Sequence, residues 1–307
     1  MKDIFKKIIL ENQGLNLSII PRDFVFPATA KIVSLIGMRR VGKSYMLFSR
    51  MHDLKKAGAE KRIIFVNFDD ERLSGLTVTN LDEILTAYYE LYPDNTEEKL
   101  YVFFDEIQNV DAWALFVKRL YETKKFEIAI TGSSAKLLSK ELATELRGRT
   151  LPFYIYPLSF PEFLKFSSFA YDQNIFFSNR LVKLKEHFRE YLEWGGFPEL
   201  VREELKIETL NSYVDLTIYK DLIERYRIKN YRLVKNLIKH FLTYYAKEFS
   251  VNAYFKIIKQ DFAVSRETIS DYVSYLEDAN FVFFVQKFDY SLKNQELSLK
   301  KSYISDL

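Results

Sequence analysis

The chain contains no cysteine, which excludes disulfides, thiolate metal centres and a cysteine nucleophile together. Its histidines, His52, His187 and His240, are too scattered to suggest a zinc constellation. Glycine and proline are scarce, at 9 and 7 of 307 residues, so flexible or Pro-rich low-complexity linkers are not expected. No run of about 18 apolar residues occurs, and the opening Met-Lys-Asp-Ile-Phe-Lys-Lys lacks a signal-peptide core. A soluble, cytoplasmic protein without membrane contact is therefore expected. Neither sign of charge dominates. The 45 Lys and Arg against 42 Asp and Glu leave +3, which permits nucleic-acid contact without arguing for it.

Apolar residues are plentiful, at 48% of the chain, including 27 Phe and 21 Tyr at core-like spacings. They read as packing material, and the length asks for two or three domains. The most informative segment is Gly37-Met38-Arg39-Arg40-Val41-Gly42-Lys43-Ser44, a complete G-x-x-x-x-G-K-S. It follows the apolar run Ile32 to Ile36 and opens a helical pattern carrying Leu47, Met51 and Leu54. Strand, glycine loop and helix in that order make a phosphate-binding loop. Its glycines allow successive N–H groups to face a triphosphate, and the helix adds its positive end. Lys43 is expected on the β- and γ-phosphates and Ser44 on Mg²⁺, with Tyr45 completing a nucleotide-binding set of residues 37–45.

Tyr101-Val102-Phe103-Phe104-Asp105-Glu106 reads as a strand buried on both faces that delivers two acids at its carboxyl end. After a phosphate-binding loop, this is a Walker B element. Asp105 is expected to hold Mg²⁺, directly or through water, and Glu106 to polarise the attacking water. A further strand, 126–131, ends in Thr131-Gly132-Ser133-Ser134. Ser133 is the choice for a residue touching the γ-phosphate or the water, with Thr131 and Ser134 as rivals and Ser134 equally a helix cap. Arg149, after Arg147 and Gly148 and before the next strand, is the candidate guanidinium for the γ-phosphate, in its own subunit or a neighbour's; a surface salt bridge is the other reading.

In this order the motifs resemble those of the AAA-type P-loop ATPases of archaea and bacteria, related to the signal-transducing ATPases with numerous domains. The resemblance extends through Val66-Asn67-Phe68-Asp69-Asp70-Glu71-Arg72-Leu73, Ile107-Gln108, Gly148-Arg149, Pro157-Leu158-Ser159-Phe160, Glu162-Phe163 and Gly195-Gly196-Phe197-Pro198-Glu199. It covers roughly residues 30–290. It implies an α/β fold with the parallel sheet of the additional-strand class, then a helical lid and a winged helix. ATP, preferred over GTP on the family alone, and Mg²⁺ are the implied ligands. The family often has Pro where this chain has Met38. Lys301-Ser302-Tyr303-Ile304-Ser305-Asp306 is similar to the start of a nuclease-like domain that members often carry, but the sequence given stops at Leu307.

The expected layout is an N-terminal helix and lead-in (1–29), an ATPase core (30–158), a helical lid (159–228), a winged helix (229–290) and the start of a further segment (291–307). Strands are expected at 31–36, 62–68, 100–105, 126–131 and 150–156. In the winged helix, Val234, Leu237, Phe241 and Tyr245 mark a first helix, Ser265 caps a third, and Phe281 to Tyr290 form a hairpin wing. That third helix bears Arg266 against Glu267, Asp271, Glu277 and Asp278, so contact with a protein partner or a second copy is at least as well supported as entry into a DNA groove. A basic stretch at 220–239 offers seven cations against two acids for DNA, or simply a solvated face. Hydrolysis driving movement of lid and winged helix is the leading reading, with a slow nucleotide-gated, DNA-linked switch as the alternative.

Overall fold

Short β-branched and aromatic runs bounded by polar turns become five parallel strands, and the amphipathic segments between them become helices that cover the sheet. The structure is a computed structural model describing residues 1–133, 145–172, 174–175 and 179–305. It divides into two units. The first holds Met1–Gly37 with Gly42–Ile155, and the second holds Met38–Val41 with Tyr156–Leu307.

In the first unit the strands are β1 (Ile32–Ile36), β2 (Ile63–Asn67), β3 (Leu100–Asp105), β4 (Phe126–Gly132) and β5 (Thr150–Tyr154), in the order β2-β3-β4-β1-β5. All neighbours are parallel. One strand, β4, therefore separates β1 from β3, which is the additional-strand arrangement of a P-loop NTPase. The sheet is packed by helices α1 (Lys2–Gly14), α2 (Lys43–Lys56), α3 (Asp82–Leu91) and α4 (Trp113–Glu122). Helix α4 shows how sequence sets packing. Trp113, Phe116, Val117 and Leu120, at i, i+3, i+4 and i+7, are all buried. Each such side chain contributes about 1.5–3 kcal/mol by leaving water.

Helix α1 is part of this core and not a separate lead-in. Phe5, Ile8 and Ile9 are buried within the cluster that includes Val66, Tyr88 and Phe104. Its end is pinned by Gln13, whose Nε2 donates to the Ile63 carbonyl (2.8 Å) and whose Oε1 accepts from the Tyr92 hydroxyl (2.6 Å).

The second unit is helical at first. Helix α5 (Phe160–Phe166) starts in a capping box, with Ser159 N donating to Glu162 Oε2 at 3.0 Å. Helix α6 (Arg180–Trp194) stops at Gly195, φ 74°, a backbone state that favours glycine. Helix α7 (Lys206–Leu216) continues as a π-helix over Thr217–Glu224, which buries Ile218, Asp221 and Leu222. Then follow α8 (Tyr231–Thr243), β6 (Glu248–Phe249), α9 (Val251–Ile258), α10 (Arg266–Asp278), β7 (Val282–Val285), α11 (Leu292–Leu297) and β8 (Lys300–Ile304). As expected, Ser265 caps α10 by accepting from Thr268 N.

Three expectations differ from the structure. Residues 281–290 do not form a hairpin: β7 is one strand, and its antiparallel partner is β8, with Val282 opposite Ile304. Residues 300–304 therefore join the sheet of the second unit. β8 is the middle strand of the sheet β6-β8-β7, with Ser302 buried at its centre. Helix α11 intervenes between β7 and β8, so no tight-turn signal marks the pairing. Tyr245 also lies beyond the end of α8 and is exposed. Ser134, Asp306 and Leu307 fall outside the described residues.

Candidate active site

The carboxyl ends of β1, β3 and β4 converge in the first unit, and with them the side chains that the motifs single out. Gly42, φ 93°, turns the loop into α2. Lys43 follows and is only 4% exposed, an unusual place for an ammonium unless it is paired. Its Nζ donates to the Gly37 carbonyl at 3.0 Å and stands 3.5 Å from Glu106 Oε1. The lysine thus closes the loop onto its own first residue and neutralises one end of the Walker B pair.

Asp105 is 2% exposed. Burial, then the neighbouring Glu106 carboxylate, push its carboxyl above the ordinary value; hydrogen bonds from Thr131 and Ser44 and the charge of Lys43 act the other way. The Thr131 hydroxyl sits between the two strands. It donates to Asp105 Oδ1 at 2.5 Å and accepts from Glu106 N at 3.0 Å. Thr131 therefore fixes both acids of β3 from the adjacent β4, a task the sequence pattern did not separate from that of Ser133. Ser133, one residue beyond β4, is buried, with its Oγ 3.4 Å from Gln108 Nε2.

Glu106 itself adopts a left-handed backbone, φ 50°, and opens the 3-10 turn Ile107–Asn109. The turn brings Gln108 back to the carboxylate, Nε2 to Oε2 at 2.5 Å. Nothing in the residue types announces this, because a left-handed glutamate is not a preference of the side chain. Asn109 extends the set towards β2, its Nδ2 donating to the Phe68 carbonyl at 3.3 Å and to Asp69 Oδ1 at 3.2 Å. Asp70, held below its ordinary value first by the Arg72 hydrogen bond, caps the turn Glu71–Leu73.

Residues Met38, Arg39, Arg40 and Val41 group with the second unit. There Arg39 Nε lies 3.2 and 3.3 Å from the two oxygens of Asp221, a carboxylate with 3% of its side chain exposed. Arg40 is 3.5 Å from Glu199 Oε2 and 5.8 Å from the Tyr213 ring centre. The Tyr213 hydroxyl donates to Glu199 at 2.5 Å, and burial with that carboxylate pushes its ionisation well up. The side chains of both loop arginines are thus engaged by protein groups. Their contribution to a nucleotide falls to the backbone N–H groups, as the loop motif requires. Tyr45 is 56% exposed, its ring against Phe48.

Arg149 is not brought to this cluster. Its carbonyl accepts from Ile32 N, and Thr150 is in parallel register with Ile32, so Arg149 stands at the amino end of the strands. The loop leaves from the opposite end, beyond Ile36, about 13 Å further along the strand. The guanidinium pairs with Glu122 at 3.1 Å. Strand direction thus sets Arg149 at the end of the sheet away from the loop. In the basic stretch, Lys220, Arg225 and Lys235 lie within ion-pair distance of Glu224, Asp221 and Asp215.

Among the described residues, no helix is long and apolar enough to cross a membrane, and no cluster of three or more His, Asp or Glu suits a metal ion. One buried carboxylate beside a serine hydroxyl is instead the sparse protein set that Mg²⁺ accepts when phosphate oxygens and waters supply the rest.

Residues 29–164 match a family model described as an AAA domain, and residues 185–307 match a domain of unknown function. A Methanocaldococcus jannaschii protein, MJ1544, is 37% identical over 99% of this chain and 68% of its own length. A Haemophilus influenzae protein is 32% identical over 92% of this chain and 68% of its own length. Among solved structures, an Aeropyrum pernix ORC1 protein in complex with DNA aligns over 99% of this chain and 88% of its own, with 12% identity and a TM-score of 0.39. C. elegans PCH-2 aligns over 70% of this chain and 65% of its own, with 12% identity and a TM-score of 0.40.

Proposed function

The chain belongs to the AAA-type P-loop ATPase family, and on that premise we propose that it binds ATP with Mg²⁺ and hydrolyses it to ADP and phosphate. The observation that carries the reading is the buried cluster of Lys43, Asp105, Glu106 and Thr131 at the carboxyl ends of β3 and β4. Such a concentration of buried charge is costly unless a charged ligand completes it.

Ser44 and Asp105 would be the protein ligands for Mg²⁺; the hydrogen bond between them and the raised Asp105 carboxyl support this, since a cation there would relieve the buried acid. When bound, the ion neutralises charge on the phosphate oxygens. Lys43 and the loop N–H groups hold the triphosphate in place. Glu106 takes a proton from the attacking water as its oxygen bonds to the γ-phosphorus, and the bond to the β,γ-bridging oxygen breaks with the electron pair leaving on ADP.

The order of helices α8, α9 and α10 followed by β7 and β8 supports reading the end of the second unit as a winged helix, with α5 to α7 as the lid. Hydrolysis is proposed to move these parts in a protein of the cytoplasm. Steady-state phosphate release is the test. Lys43→Ala should abolish it together with nucleotide affinity. Glu106→Gln should keep ATP bound while turnover falls about 10²–10⁴-fold. Equal phosphate release by wild type and Lys43→Ala sinks the proposal.

A further inference from the structure

Gln108 is the member of the cluster to which the mechanism above gives no task. Its amide nitrogen spans Glu106 Oε2, at 2.5 Å, and Ser133 Oγ, at 3.4 Å. Chemistry decides which end of the amide faces Glu106, since a carboxylate only accepts and must meet the NH₂ group. The carbonyl oxygen is thereby committed to the other direction. That atom, Oε1, is buried and has no hydrogen-bond partner among the described residues. Buried acceptors in folded proteins are almost always satisfied, and a native exception asks for a reason. A purely structural glutamine would not need to leave half of its amide unused.

We propose that Gln108 is a catalytic residue of the hydrolysis, its Oε1 accepting a hydrogen bond from the attacking water while its Nε2 holds Glu106 and Ser133 around the same molecule. The proposal rests on the hydrolytic reading of the site. A water offers two hydrogens. Glu106 removes one as a proton, Gln108 Oε1 accepts a hydrogen bond from the other, and a lone pair is left to point at the γ-phosphorus. Gln108 gains and loses no proton. Its effect is orientation, which acts on the transition state and not on the affinity for ATP.

Gln108→Leu keeps the volume and removes the amide; Gln108→Asn keeps the amide and withdraws it by one methylene. Four measurements separate the roles: melting temperature, phosphate release, affinity for a non-hydrolysable ATP analogue, and affinity for ADP with aluminium fluoride, a mimic of the transferring phosphoryl group. Both variants should hold the ATP analogue within about twofold of wild type while turnover and affinity for the fluoride complex fall about 10–100-fold. Gln108→Leu should melt at or above the wild-type temperature, because an orphaned acceptor leaves the interior. Turnover within about threefold of wild type, or parallel losses of both analogues, would overturn the assignment. Should Gln108→Leu melt early, the ratio of the two affinities in Gln108→Asn decides by the same criterion. A wild type that releases no more phosphate than Lys43→Ala sinks the hydrolytic reading, and this assignment with it. Active wild type with unimpaired Gln108 variants sinks the assignment alone.

Discussion

Thr131 makes one hydroxyl serve two acids, giving its proton to Asp105 and accepting the Glu106 N–H. Thr131→Val preserves shape and strand propensity but leaves a buried N–H and a buried carboxylate short of partners, at a cost of about 2–3 kcal/mol in chemical unfolding, which Thr131→Ser should largely restore. Asp105 has the opposite economy. Its carboxyl is raised in the folded protein, so between the unfolded and the folded value the native state binds the proton more tightly. Stability from this group is full below the unfolded value and is lost as pH rises through the folded one. Towards neutral pH without Mg²⁺ the raised Asp105 carboxyl therefore weakens the fold. Asp105→Asn should raise the melting temperature under those conditions, with a gain that shrinks towards pH 4 and accompanies lost turnover. A lower melting temperature at neutral pH would contradict this account of the carboxylate.

Among the elements, the π-helix Thr217–Glu224 places Asp221 where Arg39 and Arg225, at 3.2 and 3.7 Å, share a nearly buried carboxylate. Asp221→Ala leaves those cations without it and should cost about 3 kcal/mol in the second unit, read as a lower denaturant midpoint; Asp221→Asn should cost less. The strands and the loop were legible because alternation of apolar runs with helical periodicity is a strong, local signal: β3 runs over Leu100–Asp105, as expected. Arg149, expected near the γ-phosphate, instead sits at the amino end of β5, a placement that strand direction alone implies. In parallel strands, a residue just before one strand lies at the amino end of all, away from the loop. What stayed hidden depends on geometry that residue types do not encode. The left-handed backbone of Glu106 aims Gln108, and the π-helix aims Asp221. β8, with its pattern Lys-Lys-Ser-Tyr-Ile, declares no buried face until two neighbours cover Ser302.

For the whole molecule, the second unit closes through β8. Ser302 N donates to the Lys247 carbonyl at 3.0 Å, and its own carbonyl accepts from Ala246 N at 2.9 Å. Ser302→Pro removes that donor from a middle strand, where proline is not tolerated, and should expose β6 and β7 to proteolysis while the 1–155 region stays protected. Equal protection of both regions would show that the sheet does not depend on the strand.

The pairing of Arg39 with Asp221 spans 182 residues of sequence. A ribosome adding about 5–20 residues per second needs roughly 10–40 s to travel that far. During that interval the nascent chain already carries the phosphate-binding loop but not the carboxylate that holds its first arginine. The side-chain setting of the loop is therefore completed only once the π-helix of the second unit has been made.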